Sequence, residues 1–130
     1  MAAAYVDSSF LLAIVFGEPQ STTLRRILDR YHDVFSSDLL IAECVSATMR
    51  EHRDSDALPS ALAAIEVVVP PRSLEAEFRE AARHGYLRGG DLWHVACALF
   101  VAAGAFSDLA FLSRDTAQRR VAAELGFPTP

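Results

Sequence analysis

The chain has 130 residues, 52% of them hydrophobic, and a formal net charge of −5 at neutral pH. That length suits one domain, residues 1–130, with its own core, and that composition excludes a disordered chain. The negative charge excludes binding through a broad basic surface, but not nucleic acid met through a bound divalent ion.

Residues 2–6 read as a short buried strand, and Ser8 or Ser9 opens a helix to about Phe16 that "GEP" stops. A second helix covers about 21–31, with Leu24, Ile27 and Leu28 inward. "DVFSS", 33–37, is a second strand, and a helix follows over roughly 38–52. "HRDSDALP", 52–59, is polar and breaks it. Residues 58–64 form a short helix or turn, and "EVVVPP", 66–71, is a β-branched strand stopped by prolines. Residues 73–84 are helical, with Leu74, Phe78, Ala81 and Ala82 inward. A flexible loop at 85–91 precedes an apolar helix over 91–103, a strand over 108–113 and a last helix over 115–125 that Gly126 ends. Strands alternating with helices imply an α/β fold: a short, mostly parallel sheet of about four or five strands, with helices on both faces.

All twelve basic residues besides histidine are Arg. Without Lys, a P-loop NTPase, a Schiff-base enzyme, a receiver domain and a haloacid-dehalogenase-type phosphatase are excluded. Cys44 and Cys97 stand apart in apolar helical patterns, as buried hydrophobes do. No His pair has metal-ligand spacing. The N-terminus lacks a basic leader region, and the longest apolar run, 95–106, is about half a bilayer span. A soluble cytoplasmic protein without a membrane segment is the expectation.

The chemistry lies in the settings of Asp7, Glu43, Asp91 and Asp115. Asp7 directly follows a strand, and Asp115 follows another almost as closely. In an open α/β sheet the carboxyl ends of the strands form the ligand crevice. Each of these two, and Asp91 after "RGG", also reads as a helix N-cap. Glu43 does not: it lies more than a turn inside its helix, among Leu39, Leu40, Ala42, Val45 and Ala47. A buried carboxylate there needs an Arg partner, partial exposure at a crevice or a bound cation. Clustered carboxylates repel one another unless a hard cation such as Mg²⁺ or Mn²⁺ takes their oxygens.

"YVDSSFLLAIVF", "SSDLLIAECVSA", "GGDLWHVACAL" and "FLSRDTAQRRVAAELG", in that order, resemble a PIN domain, and specifically a VapC-type toxin. The resemblance implies an endoribonuclease that uses Mg²⁺ or Mn²⁺ to cut single-stranded or structured loop RNA of the tRNA or rRNA class. Asp7, Glu43, Asp91 and Asp115 would be its catalytic, metal-binding quartet, holding one or two ions, with Ser9 and Ser113 in support. A small VapB-like antitoxin and a homodimer, or a hetero-oligomer with the antitoxin, are the implied partners. The exposed apolar positions of 10–16 and 21–31 are the candidate antitoxin surface. A metal-bound water would attack phosphorus, with a carboxylate taking its proton. Arg88, Arg114 and His94 are candidate substrate contacts, each with a structural reading beside it: a solvated or paired Arg, and a packed, hydrogen-bonded His. Trp93, two residues after Asp91, is turned towards packing. A non-catalytic PIN-like RNA- or protein-binding module, its acids serving as caps, and a DNA-directed nuclease with the same site are the competing readings.

Overall fold

The alternation of strands and helices is realised throughout residues 2–52 and 56–130, which the computed structural model describes. The elements are β1 (Ala3–Val6), α1 (Ser8–Val15), α2 (Ser21–Leu28), β2 (Asp33–Ser37), α3 (Asp38–Arg50), α4 (Ala57–Ala63), β3 (Glu66–Val68), α5 (Glu75–Ala82), α6 (Gly89–Ala102), β4 (Ala110–Leu112) and α7 (Thr116–Glu124). The sheet has four strands in the order β3-β2-β1-β4, and every pairing is parallel.

Parallel strands covered on both faces must be apolar on both faces, and β1 is so: Ala3, Ala4, Tyr5 and Val6 are all wholly buried. Their alternation splits the core in two. Ala3 and Tyr5, with Phe35 and Phe111, pack against Ala81, Val95, Ala98 and Val121 of α5, α6 and α7. Ala4 and Val6, with Ala110 and Leu112, pack against Phe10, Leu24, Leu40 and Leu58 of α1 to α4. Cys44 and Cys97 are buried in opposite cores, where burial pushes their thiols up to about 12 and about 11. They are inert packing groups, as expected. From β1 the chain proceeds outward through β2 to β3, then returns to place β4 on the other side of β1. The switch point therefore lies between β1 and β4, and a ligand crevice belongs beyond their carboxyl ends.

Several expected boundaries move. The helix expected over 91–103 begins at Gly89, so the two glycines assigned to a flexible loop form its first turn. A first turn has no intrahelical partners for its N–H groups, so glycine there sacrifices little. The helix expected over 73–84 is shorter at both ends, and Ala82, expected inward, is exposed. Pro59, read as part of the break, is the third residue of α4, where a missing N–H removes no bond. Residues 53–55 of that break lie outside the described residues. Among the described residues no helix is long and apolar enough to cross a membrane.

Phe111 ties the strands together on one face. It is wholly buried, stacks on Tyr5 at 5.7 Å between centroids, and meets Phe127 at 6.2 Å. Phe111→Ala should cost about 3–5 kcal/mol, read as a lower urea midpoint at unchanged slope. A loss below about 1 kcal/mol would mean that the aromatic stack is not a unit of the core.

Candidate active site at the carboxyl end of the sheet

Asp7 stands one residue beyond β1. Its N–H donates to the Leu112 carbonyl at 3.0 Å, so the β1–β4 ladder holds it at the switch point. Its backbone is extended, and its Oδ1 accepts from the Phe10 N–H at 3.3 Å as the N-cap of α1. Ser9 Oγ donates to the same oxygen at 2.7 Å. Asp115 caps α7 in the same manner, accepting from the Gln118 N–H at 2.8 Å. The cap reading thus holds for both, and both caps stand at the crevice. It does not hold for Asp91. Arg88 is the N-cap of α6, and Asp91 sits inside the first turn, where the helix dipole favours a negative charge.

Glu43 has the surroundings its sequence made hard to explain. Its side chain is 33% exposed, and its Oε1 meets Nε2 of the wholly buried His94 at 2.6 Å. The expected escapes are met by partial exposure and a histidine, not by an arginine. On its far side, His94 Nδ1 lies 2.8 Å from the Tyr5 hydroxyl. Burial above all, and then the Cys97 thiol, hold the Tyr5 phenol well above its ordinary value, so it keeps its hydrogen and donates it to Nδ1. That leaves the imidazole hydrogen on Nε2, aimed at Glu43. His94 is therefore not a direct RNA contact. It is the packed, hydrogen-bonded histidine of the structural reading.

A second polar network joins the acids from below. Ser113 Oγ donates to Gln118 Oε1 at 2.7 Å and accepts from the Asp115 N–H at 3.0 Å. Gln118, wholly buried, donates from Nε2 to the Asp91 carbonyl at 3.1 Å. Ser9 Oγ also accepts from the Arg114 N–H at 3.0 Å. Both hydroxyl hydrogens are committed elsewhere, so the 3.4 Å approach of Ser9 to Ser113 is a contact and not a further bond. Gln118 was not singled out in the sequence. Its signal was the D-x-x-Q spacing from Asp115, a capping-box arrangement whose glutamine here turns inward.

Three of the acids feel one another. Asp91 is raised by burial first, then by the charges of Asp115 and Glu43, against which His94 and Arg88 pull it down. Asp91 and Asp115 line a cleft of about 230 Å³ with Tyr86, Leu87, Arg88 and Ala117. Arg88 is exposed there, and Tyr86 is 85% exposed, an aromatic that the sequence pattern did not flag. Arg114 is engaged elsewhere: its guanidinium reaches Glu18 Oε2 and Gln20 Oε1, both at 2.5 Å, and it lines a different cleft with Ser9, Phe16 and Glu18. Of the two candidate arginines, Arg88 is the one that lines the cleft with Asp91 and Asp115. Trp93 packs, as its position implied, with Nε1 donating to Ser37 Oγ at 3.0 Å and its ring 5.8 Å from Phe78.

The chemistry of the donors suits a hard divalent cation, which takes oxygen ligands. Glu43 Oε2, Asp115 Oδ2 and the whole Asp91 carboxylate have no hydrogen-bond donor among the described residues. The side chains do not close into a finished cage: among the described residues no three His, Cys, Asp or Glu groups already surround a metal position. What exists is an oxygen-rich, mutually repelling set that an ion would draw together.

Asp7 is only 2% exposed, and burial raises its carboxyl from 3.8 to about 6, against the hydrogen bonds of Ser9 and the pull of His94. The folded state thus holds this proton more tightly than the unfolded chain does. Its contribution to stability is complete below pH 3.8 and is lost as pH rises through about 6. At neutral pH the buried charge costs about 3 kcal/mol. Asn caps as well as Asp, so Asp7→Asn in chelator-treated buffer should stabilise the protein by about 2–3 kcal/mol at pH 7.5 and by almost nothing at pH 4. Urea titrations across that range check this. A gain independent of pH would contradict the charge as its cause.

The PIN domain family matches residues 4–124 of the chain, from β1 to the end of α7, a span containing all four acids, Ser9, Ser113 and His94. No curated protein matches the chain. With the parallel sheet, the switch-point crevice and a match over nearly its whole length, the chain belongs to the PIN domain family.

Proposed function

We propose that the protein is a divalent-metal-dependent endoribonuclease, working with Mg²⁺ or Mn²⁺, and the toxin of a VapBC-type pair. PIN domains are in general nuclease modules. The observation that carries the reading is the charge arrangement at the crevice: Asp91 lies within electrostatic reach of Asp115 and Glu43, while Asp7 is buried at the adjoining strand end. Evolving caps and surface acids does not require that convergence; holding a cation does.

Asp7, Glu43, Asp91 and Asp115 would hold the ion. When bound, it supplies an acidified water and a Lewis acid for the scissile phosphate. The chain supplies the rest. Ser9 turns Asp7 by its bond to Oδ1, and Gln118 and Ser113 brace the start of α7 against the Asp91 carbonyl. The attacking water must lose a proton, and a carboxylate of this set is the acceptor within reach. Arg88 offers a cation to a flanking phosphate, and exposed Tyr86 offers a ring face to an unstacked base, the combination by which single-stranded RNA is held.

A partner helix of a VapB-like antitoxin would lie between α1 and α3. The apolar residues of 10–16 expected to form that surface are mostly core: Phe10, Leu11 and Ala13 are buried. On α3, Val45 and Met49 are exposed. A cleft of about 420 Å³ between these helices is lined by Ser8, Leu12, Ala42, Glu43, Ser46 and Arg50, so an occupant would reach Glu43 itself.

Asp7→Asn and Asp91→Asn should each lower RNA cleavage by more than about 100-fold, beyond what is typical when a residue merely supports a ligand. The assay compares loop-containing RNA with DNA of the same sequence at added Mg²⁺ or Mn²⁺. Full activity in both variants sinks the site assignment. Preference for DNA selects the DNA-directed nuclease, and absence of Mn²⁺ binding by calorimetry selects the non-catalytic module.

Arg88→Ala should weaken RNA binding and reduce the slope of log affinity against log salt by about 0.7. Tyr86→Ala should weaken binding about tenfold with the slope unchanged. Fluorescence anisotropy across a salt series separates the two effects.

A further inference from the structure

The Tyr5–His94–Glu43 chain is not explained by packing alone. Tyr5 belongs to β1, His94 to α6 and Glu43 to α3. The first two lie in the core beneath α5–α7, whereas α3 packs in the opposite core through Leu40 and Cys44. The 2.6 Å bond between His94 and Glu43 therefore joins helices from opposite faces of the sheet. His94 and Tyr5 are both fully buried, and both ring nitrogens of His94 are occupied. No described residue other than His94 donates to the Glu43 carboxylate.

The bond has a geometric consequence. Glu43 has three side-chain torsions and a 33% exposed side chain, so unrestrained it would sample many positions. Bound through Oε1, it leaves Oε2 over the first turn of α6, 3.7 Å from where a side chain on Gly90 would begin. The next residue is Asp91. His94 lies three residues after Asp91 on one helix. One rigid segment thus carries one acid and holds another.

We propose that His94, steadied by Tyr5, is a positioning residue that fixes the Glu43 carboxylate against α6, so that its free oxygen and Asp91 are presented together to a divalent cation. This rests on the metal-dependent reading above and goes beyond it by assigning what places Glu43. The role is one of direction and requires only a donor at the position of Nε2.

The test compares His94→Gln with His94→Asn. Both are uncharged and lose the ring. Gln carries its amide about as far as Nε2, whereas Asn stops near Nδ1. Mn²⁺ binding to each purified, chelator-treated protein is measured by calorimetry, with thermal unfolding recorded beside it. His94→Gln should bind Mn²⁺ nearly as the unaltered protein does, and His94→Asn about 10–100-fold more weakly. RNA cleavage by His94→Asn should fail at limiting Mn²⁺ and recover at saturating Mn²⁺, with KM for RNA unchanged. Tyr5→Phe, which leaves the ring of His94 in place, should weaken Mn²⁺ binding in the same direction and serves as the deciding variant if either His94 substitution prevents folding. Equal Mn²⁺ affinities across the folded variants, with the unaltered protein binding well, would overturn the positioning role alone. No Mn²⁺ binding by the unaltered protein would overturn the metal reading and this inference with it.

Discussion

The short central strand constrains everything at the crevice. β1 is paired on both edges, buried on both faces, and prolonged by the Asp7 N–H bond to the Leu112 carbonyl. Four residues without a polar side-chain charge must fill two cores at once, so none can shift by one position without exchanging the faces. That register sets where the strand ends, and Asp7 is the next residue. The acid's place along the chain is fixed by backbone hydrogen bonds and apolar packing, and its side chain is then held by Ser9 and the Phe10 N–H.

The cost of that placement is visible in Asp7. Burial raises its carboxyl to about 6, so the folded protein carries an unfavourable charge at neutral pH. Residues kept at a cost to stability mark sites where something other than folding is being served. The hydrogen bonds from Ser9 and Phe10 only partly offset the cost. The same logic runs through the set: the Asp91 carboxylate has no hydrogen-bond donor among the described residues and is raised by burial and by the charges of Asp115 and Glu43, while Glu43 is restrained by a buried histidine. The polar network beneath is otherwise complete, and no buried side-chain polar atom among the described residues lacks a partner. A site with strain only at its carboxylates has its unmet demand confined to where a cation would go.

Two clefts share these acids. Asp91 and Asp115 open beside Arg88 and Tyr86, and Glu43 opens between α1 and α3. In the proposed reading, RNA occupies the first, where a cation and an aromatic ring are exposed. A partner helix occupies the second, which Leu12, Ala42 and Ala47 line beside Glu43. A partner so placed would act on catalysis through Glu43 without competing for the whole RNA path.

Periodicity and helix signals were enough to locate every strand and nearly every helix, because a strand buried on both faces is uniformly apolar and its neighbours are punctuated by Gly, Pro and polar caps. The caps at Asp7 and Asp115 were legible for the same local reason: capping involves residues three apart. The cap alternative for Asp91 arose because Gly89 and Gly90 look like a loop, although a helix's first turn tolerates them. His94 and Gln118 were beyond local reading. His94 is a polar residue on an apolar helix, and its partners Tyr5 and Glu43 lie far along the chain; Gln118 turns inward from a mostly polar helix, and besides nearby Ser113 it reaches the Asp91 carbonyl 27 residues away. The amino-acid order settled which segments are strands and which acids stand at their ends, since both follow from hydrophobic burial and near-neighbour hydrogen bonds. Which acids share a crevice, that Glu43 is held by His94 and not by an arginine, and that Arg88 and not Arg114 faces the acids were decided only when the switch in strand order brought β4 beside β1 and helices from opposite faces together at one end of the sheet.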